Sequence, residues 1–270
     1  MAIVLGMVRP RPFAAAALSG ALLVPAAARA GETRCWYENG AVVVPAAFGD
    51  IAGDFLLDVS APRTLLHADR ARSDTIAEAA ATRDLVLAGE RVRGVEALVA
   101  SFDEREVGFP TTINGLIGAD VLSRYVVTID FAPCRVTLSR RAPAASPGAI
   151  RLPIETVNGV PAIRAAVSDG ARAFEGRFAI DTASADVRLR SADAGFRPPL
   201  AQGVDPTWRF RPPARLARLT LGGETLEHVP AGLLEYDLPG LDGAIGDAVW
   251  AHYRMTLDLK RGWLTLEPSP

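Results

Sequence analysis

The sequence predicts a mostly β molecule built from two matching lobes. From Ala41 onward, apolar runs of strand length are broken by Gly, Pro and Asp, with few long helical periods. NGLIGADVLSRYVVTIDFAPCRVTL, starting at Asn114, aligns without gaps on DGAIGDAVWAHYRMTLDLKRGWLTL, starting at Asp242, with nine of 25 positions identical. The apolar run Phe55-Leu56-Leu57 that ends in the lone carboxylate of Asp58 recurs as Phe178-Ala179-Ile180 ending in Asp181. Two copies are too few for a solenoid and describe a duplication. A carboxylate at the tip of an apolar strand is costly to desolvate unless something specific compensates it, so the two aspartates are expected to meet.

The N-terminus is set apart first. Arg9 and Arg11 precede an apolar run from Phe13 to Val24, and Ala28-Arg29-Ala30 matches a small-x-small cleavage signal. Residues 1–30 therefore read as a signal peptide, with an apolar core well short of the roughly 20 residues a spanning helix needs. A retained, membrane-anchoring signal is the alternative. The expectation is a periplasmic or secreted protein. With 49% hydrophobic and 22% charged residues the chain can bury ordinary cores, and a formal net charge of -2 gives no basic footprint for nucleic acid.

Cys35 and Cys134 are the two cysteines, both beyond the leader. In an oxidising compartment such a pair points to a disulfide, with two free thiols as the alternative. His67, His228 and His252 are far apart and match no ligand spacing, so no metal site and no cofactor is expected.

In chain order, Ala41 to Phe48 and Phe55 to Leu57 are expected strands, with turn chemistry at Gly49-Asp50 and Gly53-Asp54. Arg63 to Leu66 is a short strand, and the Ala-rich stretch from Ala68 to Thr82 is the best helix in the first half. Leu85 to Ala88 and Val92 to Ala100 flank a hairpin turn at Gly89-Glu90. Ala119 to Tyr125 is a short helix, Val126 to Phe131 a strand, and Arg135 to Leu138 a closing strand after the Ala132-Pro133 turn. Ser139 to Gly148 is rich in Pro, Ala and Ser and reads as a linker. Strands at Leu152 to Thr156, Ala162 to Val167 and Arg177 to Ile180 then lead to Asp181, and Leu219 to Leu221 and Val229 to Leu234 flank Gly222-Gly223.

The order of these pieces resembles the retropepsin-like aspartic protease domain of exported bacterial proteins, present twice. The pieces are LLDVSA and AIDTAS, LAGERV and LGGETL, GLIG and GAIG, and SRYVVTID and AHYRMTLD, covering nearly all of residues 41–268. The resemblance implies an all-β fold of two retropepsin-like β-barrel lobes with short helices, facing each other as a pepsin-like bilobal pseudo-dimer. The expected boundaries are a signal peptide over 1–30, lobe 1 over 31–140, a linker over 141–150 and lobe 2 over 151–270. A monomer is expected, with a homodimer as the alternative.

The resemblance also implies that Asp58 and Asp181 form the catalytic dyad of an endopeptidase acting on a peptide or protein substrate. Two carboxylates about 3 Å apart cannot both ionise, so the pair shares a proton, activates a water and donates to the developing oxyanion. Supporting positions are Thr182, whose hydroxyl is expected to bond across the lobe axis, and Ser184, expected on the outer oxygen of Asp181. Ser60 and Ala183 stand where the family has Gly, and Val59 stands where it has Thr. Those three departures motivate the alternative of a catalytically impaired peptide-binding protein. From Asp181 to Gly223 the second half is 11 residues longer than the first half from Asp58 to Gly89, and the excess falls in Phe196 to Arg215. That segment is expected to be either the substrate flap, with Trp208 near its tip, or a variable surface loop. Asp130 and Asp258 are expected to be turn or capping residues.

Overall fold

The computed structural model describes residues 31–101, 109–190, 214–233 and 238–269. The proposed leader and the Trp208 segment therefore lie outside the described residues.

In the first half the chain runs β1 (Gly31–Arg34), β2 (Trp36–Glu38), β3 (Ala41–Phe48), β4 (Ile51–Leu57), β5 (Leu65–His67), α1 (Ala68–Ser73), β6 (Ala80–Leu87), β7 (Glu90–Ala100), β8 (Ile113–Ile117), α2 (Ala119–Leu122), β9 (Val126–Phe131) and β10 (Cys134–Ser139). The second half repeats the plan. It comprises β11 (Ile150–Pro153), β12 (Glu155–Val157), β13 (Val160–Ser168), β14 (Ala173–Ile180), β15 (Val187–Leu189), β16 (Ala214–Leu221), β17 (Glu224–Leu233), β18 (Gly243–Ile245), α3 (Asp247–Trp250), β19 (Tyr253–Asp258) and β20 (Trp263–Pro268).

Each half closes a six-stranded barrel. The first has the order β3-β4-β8-β5-β7-β6, closed by pairing of β3 with β6, with β2 added outside β3. The second has the order β13-β14-β18-β15-β17-β16, closed by pairing of β13 with β16, with β12 added outside β13. Alternating burial makes this possible: Phe55 and Leu57 face the main core while Leu56 between them joins a smaller cluster with Val43 and Leu116. Closure leaves no edge along the barrel wall for another chain to pair with.

A sheet in the order β1-β10-β9-β19-β20-β11 joins the halves. At its centre β9 and β19 run antiparallel, with Thr128 opposite Thr256. Cys35 and Cys134 form a disulfide spanning 99 positions, which ties the chain entering the first barrel to the start of β10. The segment between β10 and β11 is tethered where Ser146 N donates to Glu267 on β20 at 2.6 Å.

The expected helix from Ala68 to Thr82 is a correction. Only Ala68–Ser73 is helical, because Thr75 takes φ 58 and the chain turns away, with Ile76 N donating back to Ala71 O at 2.8 Å. The end of the stretch, Ala80 to Thr82, opens β6 and pairs with β7, so that tertiary pairing overrides local propensity despite the Ala content. Both long hairpins turn on two residues with positive φ, Ala88-Gly89 and Gly222-Gly223. So do two further hairpins that the sequence reading passed over, at Asn39-Gly40 and Asn158-Gly159.

Candidate active site

Asp58 and Asp181 leave the ends of β4 and β14, the equivalent strands of the two barrels. In each case a parallel neighbour fixes the backbone. Asp58 N donates to Ile117 O at the end of β8, and Asp181 N donates to Ile245 O at the end of β18, both at 3.0 Å. Glycine after each of these strands is required by close approach. A Cβ on Gly118 would meet Arg63 O at 2.6 Å, and one on Gly246 would meet Ser184 O at 2.4 Å. The short helices consequently begin directly against the aspartate turns, with Ala119 N on Ala61 O and Asp247 N on Ser184 O, each at 2.8 Å.

Thr182 brings the two turns together. Its hydroxyl donates to Leu57 O at 2.7 Å and accepts from Val59 N at 3.2 Å, bracketing Asp58 from the opposite lobe. Its carbonyl accepts from Val42 N at 3.2 Å. The Thr182 hydroxyl thus makes a bond across to the first lobe. Val59, wholly buried, has no hydroxyl to return it.

Asp58 and Asp181 are 3% and 2% exposed, so protein groups rather than bulk water satisfy their oxygens. Asp58 Oδ1 accepts from Ser60 N at 2.8 Å, from the Ser60 hydroxyl at 2.6 Å and from Ala61 N at 3.3 Å. Asp181 Oδ1 accepts from Ala183 N at 2.9 Å, and its Oδ2 pairs with the Ser184 hydroxyl at 2.6 Å. Ser60 and Ala183 are not among the described residues with positive φ, so the turn at those positions does not need glycine, and both amides still point at a carboxylate.

Asp247 was not singled out from the sequence. It is 0% exposed, and neither of its carboxylate oxygens has a hydrogen-bond partner among the described residues. Burial, then the charges of Asp181 and Asp58, push its proton affinity well above the ordinary carboxylate range. A third acid therefore stands beside the pair, and it is best accommodated with its proton on. The available signal was a charged residue interrupting the apolar run Ala244 to Trp250, where the first half has Ala119. Tyr37 belongs to the same seam. It is 36% exposed, yet its phenol is pushed up to about 12, first by partial burial and then by Asp247 and Asp186.

Asp258 lies away from this cluster and caps its own turn, accepting from Arg261 N at 3.1 Å and from the Arg261 guanidinium at 2.9 Å. Asp130 pairs with Arg254 at 3.3 Å. No group of three His, Cys, Asp or Glu among the described residues is arranged to hold a metal ion.

No family model matches the sequence, and no curated protein matches it. Among solved structures, the crystal structure of the aspartic proteinase from Irpex lacteus matches with a TM-score of 0.57 at 13% identity, over 89% of this chain and 98% of that chain. The fold is that of a pepsin-like aspartic proteinase. In this chain the equivalent strands β4 and β14 end directly before Asp58 and Asp181. At this identity the likeness is one of fold, and the chemistry has to be argued from the residues.

Proposed function

We propose that the chain is an exported aspartic endopeptidase in which Asp58 and Asp181 share one proton and activate a water against a peptide carbonyl. Residues 1–30 would be the leader, and lobes over 31–140 and 151–270, joined by 141–150, would supply one aspartate each to a single monomeric site. The observation that carries this reading is the Thr182 hydroxyl bound on both sides of Asp58, which joins two aspartate turns otherwise held by equivalent bonds.

The ionised member of the pair takes a proton from the water, whose oxygen attacks the carbonyl carbon. The protonated member donates to the developing oxyanion. When the resulting gem-diol collapses, one hydroxyl returns its proton to the aspartate that had donated as the C=O bond re-forms, the C–N bond breaks, and the proton gained from water passes to the leaving amine. Substrate is a peptide or protein chain. The protein's residues supply every proton transfer in this sequence of steps.

The competing reading, a catalytically impaired peptide-binding protein, draws on Val59, Ser60 and Ala183. Two of these three support the pair: the Ser60 and Ala183 amides each bond a carboxylate, and only Val59 leaves a bond unmade. The test is incubation of the processed protein with a diverse peptide mixture across pH 3 to 8, beside Asp181→Asn. Cleavage by the wild type that disappears in the variant supports the endopeptidase. Absence of cleavage by either, or cleavage by both, rejects it.

A further inference from the structure

The two aspartates are dressed differently, and the difference has a direction. Three donors converge on one oxygen of Asp58: the amides of Ser60 and Ala61 and the Ser60 hydroxyl. Amides can only donate, so an oxygen that accepts two of them is a poor place for a proton, and the Ser60 hydroxyl must donate as well. In the second lobe the same two kinds of contact are divided. Ala183 N takes Oδ1 and the Ser184 hydroxyl takes Oδ2. A hydroxyl facing an oxygen with no amide on it donates to a carboxylate or accepts from a carboxylic acid equally well.

Asp247 on α3 acts on both Asp58 and Asp181, and it is an acid. Thr182, which brackets Asp58 from the other lobe, is neutral. The three hydrogen bonds on Oδ1 favour a negative charge there. Ser60 stands where the resemblance has glycine, and it supplies from two residues after Asp58 the hydroxyl that Ser184 supplies from three residues after Asp181. Ala61, the positional match of Ser184, has none.

We propose that Ser60 is a positioning residue that holds Asp58 as the ionised member of the pair, leaving the shared proton on Asp181. Its catalytic consequence rests on the endopeptidase reading: Asp58 is then the base that takes the water proton, and Asp181 the acid that donates to the oxyanion. The placement of the charge does not rest on that reading.

The test uses the processed protein with 13C-carboxyl aspartate, the Asp58 signal being assigned by its loss in Asp58→Asn. Titrations are compared for wild type, Ser60→Ala, Ser60→Gly, Ser60→Thr and Ser184→Ala. Loss of one hydrogen bond to an ionised group raises the Asp58 midpoint by about one pH unit in Ser60→Ala and Ser60→Gly. Ser60→Thr, which keeps a hydroxyl, returns it toward wild type, and Ser184→Ala moves it less than Ser60→Ala does. The acid limb of peptide hydrolysis moves up by the same amount. An Asp58 midpoint unmoved in both Ser60→Ala and Ser60→Gly, or Asp181 ionising before Asp58 in the wild type, overturns the proposal. Midpoints that move as stated in a protein that cleaves no peptide keep the charge placement and reject the endopeptidase. Cleavage that depends on Asp181, with midpoints unmoved, does the reverse.

Discussion

The hydroxyls of Thr128 and Thr256 lie 3.1 Å apart at the centre of the sheet that joins the two halves. Their neighbours pair as Met255 with Ile129 and Leu257 with Val127. In the internal repeat Met255 corresponds to Val127 and Leu257 to Ile129, so the pairing is symmetric about the two threonines. A local two-fold relation between the halves passes between them.

Both threonines are buried, so neither hydroxyl finds water if the other is removed. Thr128→Val leaves Thr256 unsatisfied and is expected to cost about 1–3 kcal/mol. Thr128→Val with Thr256→Val removes both partners at constant shape and is expected to cost less than the single change. Urea unfolding of the three proteins reads the difference. A double variant that loses the sum of two singles would contradict a direct pair.

Thr182 and Val59 are a natural reciprocal test. Thr182→Val removes two buried hydrogen bonds, to Leu57 O and from Val59 N, and is expected to destabilise by about 1–3 kcal/mol while lowering any hydrolytic rate. Val59→Thr is nearly isosteric and offers the missing hydroxyl to the second lobe. If the lobes are related as the Thr128 and Thr256 pairing indicates, that hydroxyl finds its acceptor and the variant gains about 0.5–1.5 kcal/mol. A loss of stability in Val59→Thr would place the second turn away from the symmetric position.

Asp247 makes stability depend on pH in a stated direction. Its folded proton affinity is raised, by burial first and then by Asp181 and Asp58. A group of this kind contributes stability fully below its unfolded value, about 3.9 for an aspartate, and that contribution is lost as pH rises through the folded value. In Asp247→Asn the loss disappears. Relative to wild type, the variant's melting temperature is expected to gain as pH is raised from 4 toward 8, whatever offset the new amide introduces at pH 4. Parallel curves for the two proteins would show that Asp247 does not change its protonation on folding.

Much of this arrangement was legible in the residues, and the parts that were not have physical reasons. Asp58 and Asp181 stood out because an apolar strand ending in one carboxylate demands compensation, whereas the roles of Thr182 and Ser184 came only from the resemblance to the aspartic protease domain. Ser60 read as a departure from glycine because its hydroxyl could be assigned only once the turn was seen to aim it at Oδ1. Asp247 was missed because an acid at the first position of a helix is ordinary in sequence, and its burial depends on the neighbouring turn of Ser184. The Ala-rich stretch after Ala68 was read as one long helix because composition does not register the left-handed turn at Thr75 or the pairing partners waiting for Ala80 to Leu87.

The central claim is that Asp58 and Asp181 act as one unit, and the rates of Asp58→Asn, Asp181→Asn and the double variant on one peptide test it most directly. Groups that act together show losses that do not add. The account predicts that each single change lowers kcat by about 10³-fold or more, and that the double variant is no slower than the worse single. A single variant that keeps the wild-type rate, or a double variant that loses the product of the two single effects, would contradict it.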